Sequence, residues 1–89
     1  MKIVISVIGR DRVGIIALVS GLLYKENINI LDITQTILQG LFTMVMLAET
    51  SEATISFEAL QDNLDKLGKE LGLEIRAVRS DIFDAMNKV

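Results

Sequence analysis

The stretch Ile8-Gly9-Arg10-Asp11-Arg12-Val13-Gly14-Ile15-Ile16 separates a β-type segment from a helical one. Residues 3–8 before it are rich in β-branched side chains, and the apolar residues after it recur at helical spacing. Asp11 is a residue type that caps helices, because its carboxylate can accept hydrogen bonds from the amides of the first turn. We therefore predict a strand, a turn capped by Asp11, and a helix whose first turn contains Gly14.

The same turn is a candidate anion site. The N-terminus of a helix carries partial positive charge and free N–H groups, which suit a small carboxylate. Gly14 has no side chain to cover those groups. The simpler interpretation is a capped strand-to-helix turn without a ligand, and the spacing alone is compatible with both.

Composition limits the chemistry and the partners that the chain can have. The 89 residues make one small domain, with 51% hydrophobic residues and neither Cys nor His. A disulfide, a thiolate metal site and a histidine base are therefore excluded. A net charge of −3 without a basic patch argues against a nucleic-acid partner. No apolar run is long enough for a membrane span and the first residues do not resemble a signal peptide, so we expect a cytoplasmic location.

The periodicity predicts six main elements. Strands are predicted over residues 2–8, 28–38, 41–49 and 73–79, and helices over 12–26 and from the cap Ser56 to Leu71. Gln39-Gly40 is a hairpin signal between two strands, and Gly72 stands where a helix ends. Ser80-Asp81 caps a predicted short C-terminal helix that carries Ile82, Phe83 and Met86. The order βαββαβ is that of an α+β, ferredoxin-like sandwich in a single domain of residues 1–89, with two helices on one face of a four-stranded antiparallel sheet.

The apolar residues predict both a core and a second, uncovered surface. The leucines expected between the helices and the sheet are Leu18, Leu22, Leu60, Leu64 and Leu67. The third strand is apolar on both sides, so the face away from the helices needs a cover or a partner. We expect self-association, as a homodimer or a higher even oligomer, to provide part of it.

Few catalytic arrangements fit these residues. Without His or Cys there is no Ser-His or Cys-His nucleophile pair. Asp11 and Asp32 are the one candidate carboxylate pair for acid–base work or for a hard cation, with solvated turn residues as the simpler interpretation. An RNA-recognition module of this topology needs aromatic residues on its central strands, and Tyr24 and Phe42 do not supply that pattern.

Two segments together resemble a known family. Val7-Ile8-Gly9-Arg10-Asp11-Arg12-Val13-Gly14-Ile15 is followed, at the distance of one helix, by Glu26-Asn27-Ile28-Asn29-Ile30-Leu31-Asp32-Ile33. This pairing resembles the ACT domain, a small βαββαβ module that binds amino acids and regulates metabolic enzymes. The whole chain is most similar to small stand-alone ACT proteins related to the ACT repeats of the glycine-cleavage system repressor.

The resemblance implies a homodimer with a ligand between the strand 1–helix 1 loop of one subunit and the start of strand 2 of the other. By position, the implied ligand-binding residues are Asp11, Val13, Gly14, Ile15, Asn29 and Leu31. Asp11 departs from the family pattern, which often has Asn in ligand-binding members. An anion there would repel a ligand carboxylate, unless it pairs with the ammonium group of the ligand or only caps the helix.

The function expected from the resemblance is a non-enzymatic regulatory module that binds a small ligand, an amino acid, at a homodimer interface. No cofactor, metal, nucleic acid or membrane is implied. A regulated enzyme or regulator protein is an expected partner. The alternative is a protein-interaction module in which the ACT fold serves assembly without a small-molecule ligand.

Overall fold

The computed structural model describes residues 1–81 and has the predicted order of elements. The strands are β1 (Lys2–Arg10), β2 (Asn29–Leu38), β3 (Leu41–Glu49) and β4 (Leu73–Arg79), and the helices are α1 (Ile15–Lys25) and α2 (Phe57–Leu71). The four strands form one antiparallel sheet in the order β2-β3-β1-β4. The ferredoxin-like α+β prediction is confirmed. The predicted short C-terminal helix with Ile82, Phe83 and Met86 lies outside the described residues.

Local sequence signals account for the turns and for the ends of α2. Gln39 and Gly40 have φ angles of 51° and 80°, as a two-residue hairpin turn requires when its twist matches that of the strands. The Ser56 hydroxyl accepts a hydrogen bond from the Ala59 amide at 3.1 Å, and Gly72 ends the helix in the left-handed conformation with φ 70°. Both predicted caps of α2 are therefore confirmed.

The core lies between the two helices and one face of the sheet. The sheet contributes buried residues from three strands, namely Ile3, Ile5, Val7, Phe42, Met44, Met46, Ala48, Leu73, Ile75 and Ala77. The helices contribute Ile15, Val19, Leu23, Leu60 and Leu64. Leu22 and Leu67 are partly buried against this core.

The prediction that Leu18 is buried is wrong, because 45% of its surface is exposed. The stripe of α1 that meets the sheet is Ile15, Val19 and Leu23, at steps of four residues. Leu18 lies to the side of that stripe. Because α1 is apolar on most of its circumference, helical spacing alone does not indicate which side is turned inwards.

The two edge strands, β2 and β4, are exposed in different ways. All residues from 31 to 40 are exposed, whereas β4 buries Leu73, Ile75 and Ala77 on the helix side. On the face away from the helices, Leu41 and Val45 of β3 are exposed by 48% and 38%. The two-sided apolar character predicted for the third strand is confirmed. Within the described residues, no helix has the length and apolar character needed to cross a membrane.

Candidate functional site

The loop between β1 and α1 is held against the β2–β3 hairpin. The Asp11 amide donates a hydrogen bond to the Gly40 carbonyl at 2.8 Å. Asp11 and Gly40 are far apart in sequence, and their hydrogen bond holds the loop against the hairpin turn. The loop leads into α1, which begins at Ile15.

The prediction that Asp11 caps the helix is wrong. The N-cap residue is Gly14, with φ 94°, and no side chain makes the capping hydrogen bond. Because Gly14 adopts this left-handed conformation, the helix begins at Ile15, later than the predicted residue 12, and the Asp11 carboxylate stands too early in the loop to cap it. Gly14 is therefore the residue before the first turn and not a member of it.

The start of α1 is consequently an uncompensated positive end. Its first turn contains no acidic residue, and no side-chain oxygen accepts from its amides. The Leu18 amide donates to the Gly14 carbonyl at 2.9 Å, and the amides before it remain available to an outside acceptor. Such an end favours a bound anion.

A groove of about 250 Å³ opens beside this helix end. Its lining residues are Asp11, Arg12, Gly14, Ile15, Ile16, Ala17, Gln35, Ile37 and Phe42. We call it the loop groove. It has an apolar floor, since Ile15 and Phe42 are each 2% exposed, and a charged mouth formed by Asp11 and Arg12.

The loop groove brings together three of the predicted site residues, Asp11, Gly14 and Ile15. Val13 belongs to the same loop, but its side chain is 93% exposed and does not line the groove. Val13 could therefore contribute to a site there through its backbone amide and not through its side chain.

Asn29 and Leu31 lie elsewhere in the protomer. Asn29 begins β2 beside the C-terminal end of α1 and lines a second groove of about 590 Å³ with Ala17, Ser20, Gly21, Tyr24, Ile28 and Ile30. Leu31 is the extra residue of a β-bulge between Ile30 and Asp32. From Asn29 to Ile37, the strand covers about 26 Å at 3.3 Å per residue. The two grooves share Ala17, but neither Asn29 nor Leu31 lines the loop groove, so the loop groove of one chain does not contain the whole predicted set.

Gln35 and Ile37 line the loop groove and were missed by the sequence reasoning. They pair with Met44 and Phe42, so they share the helix side of the sheet with those residues. The bulge at Leu31 changes the alternation along β2, and after it the odd-numbered residues turn to the helices. Ile33, Gln35 and Ile37 alternate with other residues along β2, and this alternation could have indicated that they share one face of the sheet. Which face that is depends on the bulge, which the alternation does not reveal.

The structure does not assemble a carboxylate pair from Asp11 and Asp32. Asp11 is bonded to the hairpin turn, whereas Asp32 pairs with Leu47 and lies about 23 Å along β2 from that turn. The Asp32 carboxylate accepts a hydrogen bond from the Ile33 amide at 2.9 Å. Among residues 1–81 no group of three or more acidic side chains is placed to hold a metal ion.

Comparison with known proteins shows which family has this architecture. The family model of the ACT domain matches residues 1–78. The chain belongs to the ACT domain family. This ACT domain is 51% identical to a UPF0237 protein of Clostridium acetobutylicum over 89 residues, which is all of both chains.

Solved structures of two other proteins resemble this ACT domain. An ACT domain protein from Streptococcus pneumoniae superposes with a TM-score of 0.81 at 36% identity, over 94% of each chain. A protein described as a glycine cleavage system transcriptional repressor superposes with a TM-score of 0.73 at 26% identity, over 86% of this chain and 44% of that one. The resemblance inferred from the two sequence segments is therefore confirmed.

Proposed function

We propose that this ACT domain is a non-enzymatic regulatory module that binds a small amino acid between the two subunits of a homodimer. One observation carries the proposal. The two halves of the predicted site lie at opposite ends of α1 in one chain, and the exposed strand β2 runs between them. In a dimer, the second copy can place its Asn29 beside the loop groove of the first chain, and the first chain can do the same for the second.

Antiparallel pairing of β2 with the same strand of a second copy would complete the site. A two-fold axis near Ile33, close to the middle of β2, brings the start of the partner strand beside Ile37. Ile37 lines the loop groove. The partner's Asn29 then stands near the loop of the first subunit, and the symmetry repeats this arrangement at the other end.

The charges favour a zwitterionic ligand. The ligand carboxylate would accept hydrogen bonds from the amides of Val13 to Ile15, at the uncapped positive end of α1. The ammonium group would face the Asp11 carboxylate and the partner's Asn29. A plain acid would be repelled by Asp11, and a plain amine would gain nothing from the helix end.

A thermal-shift screen of the twenty amino acids tests the proposal. Each is compared with the matching acid that lacks the amine and the matching amine that lacks the carboxylate. We expect at least one small amino acid to raise the melting temperature, since a ligand at 100 times its Kd stabilises the folded state by about 2.7 kcal/mol. The absence of any shift at millimolar concentration would contradict amino-acid binding and favour the assembly module without a ligand.

A further inference from the structure

The exposed edge of β4 is occupied by a side chain of α2. The Gln61 Oε1 atom accepts a hydrogen bond from the Ala77 amide at 2.9 Å. Gln61 Nε2 donates to Asp65 Oδ1, also at 2.9 Å, which holds the carboxamide in place along the helix. The Gln61 carboxamide thus stands where the carbonyl of an adjoining strand would stand.

Two features of β4 reinforce this closure. Glu74 and Arg76 have side chains that are 74% and 70% exposed, and they lie 3.7 Å apart as an ion pair. Charged side chains on an edge strand disfavour the addition of another strand. The groove of about 580 Å³ between α2 and β4 also contains Asp65 and Lys69, so a strand entering it would have to desolvate charges as well as displace Gln61.

The other edge of the described sheet has no such protection. Residues 34–38 of β2, Thr-Gln-Thr-Ile-Leu, carry no charge and are all exposed. Asp32 is the one charged residue within β2. The two edges therefore differ in how readily they accept a strand.

This difference decides the form of an assembly. Pairing of β2 with β2 is symmetric and closes with two copies. Pairing of β2 with β4 leaves a free edge at each end, so it would continue as an open filament. We propose that Gln61, supported by Glu74 and Arg76, closes the β4 edge to a second copy of this chain and so limits assembly to a closed dimer. This inference rests on the homodimer of the proposed function.

The hydrogen bond of Gln61 is tested by amide exchange in the full-length chain. Gln61→Leu keeps the approximate size of the side chain and removes the acceptor. We expect the exchange of the Ala77 amide to accelerate about tenfold. The Val78 amide is the internal control. Successive amides along a strand point in opposite directions, so the Val78 amide points towards β1, and we expect it to keep its wild-type exchange rate. Equal exchange of Ala77 in the variant and the wild type would overturn the role of Gln61.

The closure of the edge is tested by sedimentation equilibrium over a tenfold range of concentration. The variant Gln61→Leu/Glu74→Thr/Arg76→Thr removes the acceptor and both charges without changing the net charge. The control Lys66→Leu/Glu70→Thr has one substitution fewer, and it removes one positive and one negative charge at exposed positions of α2 outside the groove, again without changing the net charge. We expect the wild type and the control to stay at twice 9.8 kDa, and the β4 variant to grow beyond that mass as concentration rises.

A folded β4 variant with the same mass as its control at every concentration would overturn the inference. If circular dichroism shows that the β4 variant does not fold, the single variants Gln61→Leu and Lys66→Leu are compared instead, again by their mass as a function of concentration. A monomeric wild type would contradict the dimer of the proposed function. In that case growth of the β4 variant over its control still supports the closure by Gln61, and its absence overturns it.

Discussion

Two leucines from the predicted core have opposite environments and provide a matched test of the packing. Leu64 is fully buried, whereas Leu18 is 45% exposed. We expect Leu64→Ala to lower the free energy of unfolding by about 2–5 kcal/mol, the range for a buried leucine. Leu18→Ala should change it by about 0.5 kcal/mol, as at a surface site. Urea unfolding of both variants is the measurement, and similar losses would contradict the described face of α1.

Glu49 makes the stability depend on acid pH. The Met1 ammonium group, 2.8 Å from the Glu49 carboxylate, lowers the pKa of Glu49 by its hydrogen bond, and a bond from Ser51 contributes. A lowered pKa stabilises the folded state above the ordinary value of 4.5, and this contribution is lost as the pH falls through the lowered pKa.

Glu49→Gln should therefore lose less stability than the wild type between pH 7 and strongly acid pH. Urea unfolding of the two proteins at several pH values measures the difference, and the groups they share cancel in the comparison. Parallel curves for the two proteins would show that the ion pair with Met1 does not form in solution.

The sequence identifies the loop of the candidate site better than it identifies the role of each residue in that loop. Asp11 was correctly placed between β1 and α1, because a β-branched run and a helical stripe flank the loop, whereas Gly14 was placed inside the helix that it precedes. Their roles were misassigned, since a capping carboxylate and a left-handed glycine are both ordinary ways to begin a helix. The loop is also held by the hydrogen bond from the Asp11 amide to the Gly40 carbonyl, which joins residues that are distant in sequence and leaves no local signal.

Two helical glycines show how closely α2 packs on the sheet. A Cβ atom at Gly68 would lie 2.6 Å from the Leu73 carbonyl oxygen, whereas one at Gly21 in α1 would meet nothing within 4 Å. Gly68→Ala should cost about 1–3 kcal/mol, because helix and strand must separate. Gly21→Ala should stabilise the protein by about 0.5–1 kcal/mol, because alanine favours a helix. Thermal unfolding compares the two, and stabilisation by both would contradict the close contact.

The elements themselves were predictable to within a few residues, but the facing of β2 was not. The hairpin turn and the two caps of α2 depend on local signals, and they were found where expected. The bulge at Leu31 results from pairing with β3, which periodicity does not reveal. Gln35 and Ile37 consequently entered the candidate site only through the structure.

The molecule as a whole has one half of the candidate site at each end of α1. The loop groove contains Asp11 and the free helix end, and the second groove contains Asn29. The family resemblance implied that each site takes its two halves from different subunits. The residues of one chain give no local signal of such an arrangement. Because each chain carries both halves, a dimer has two equivalent sites.

Mixing two defective variants tests the shared site most directly. Asp11→Ala and Asn29→Ala each impair one half, and Asn29→Ala should weaken binding by about 1–3 kcal/mol through the unpaired polar groups it leaves. The probe is the amino acid that gives the largest thermal shift in the screen. A hybrid dimer places both changes in one site and leaves the other site unchanged.

The measurement is titration calorimetry of the wild type, of each variant alone, and of an equimolar mixture of the variants refolded together. If the site is shared, the mixture recovers wild-type affinity in about one quarter of the wild-type number of sites, because half of the dimers are hybrids with one intact site each. If the mixture binds no better than the separate variants, although its subunits have exchanged, the site lies within one chain and is not shared between subunits.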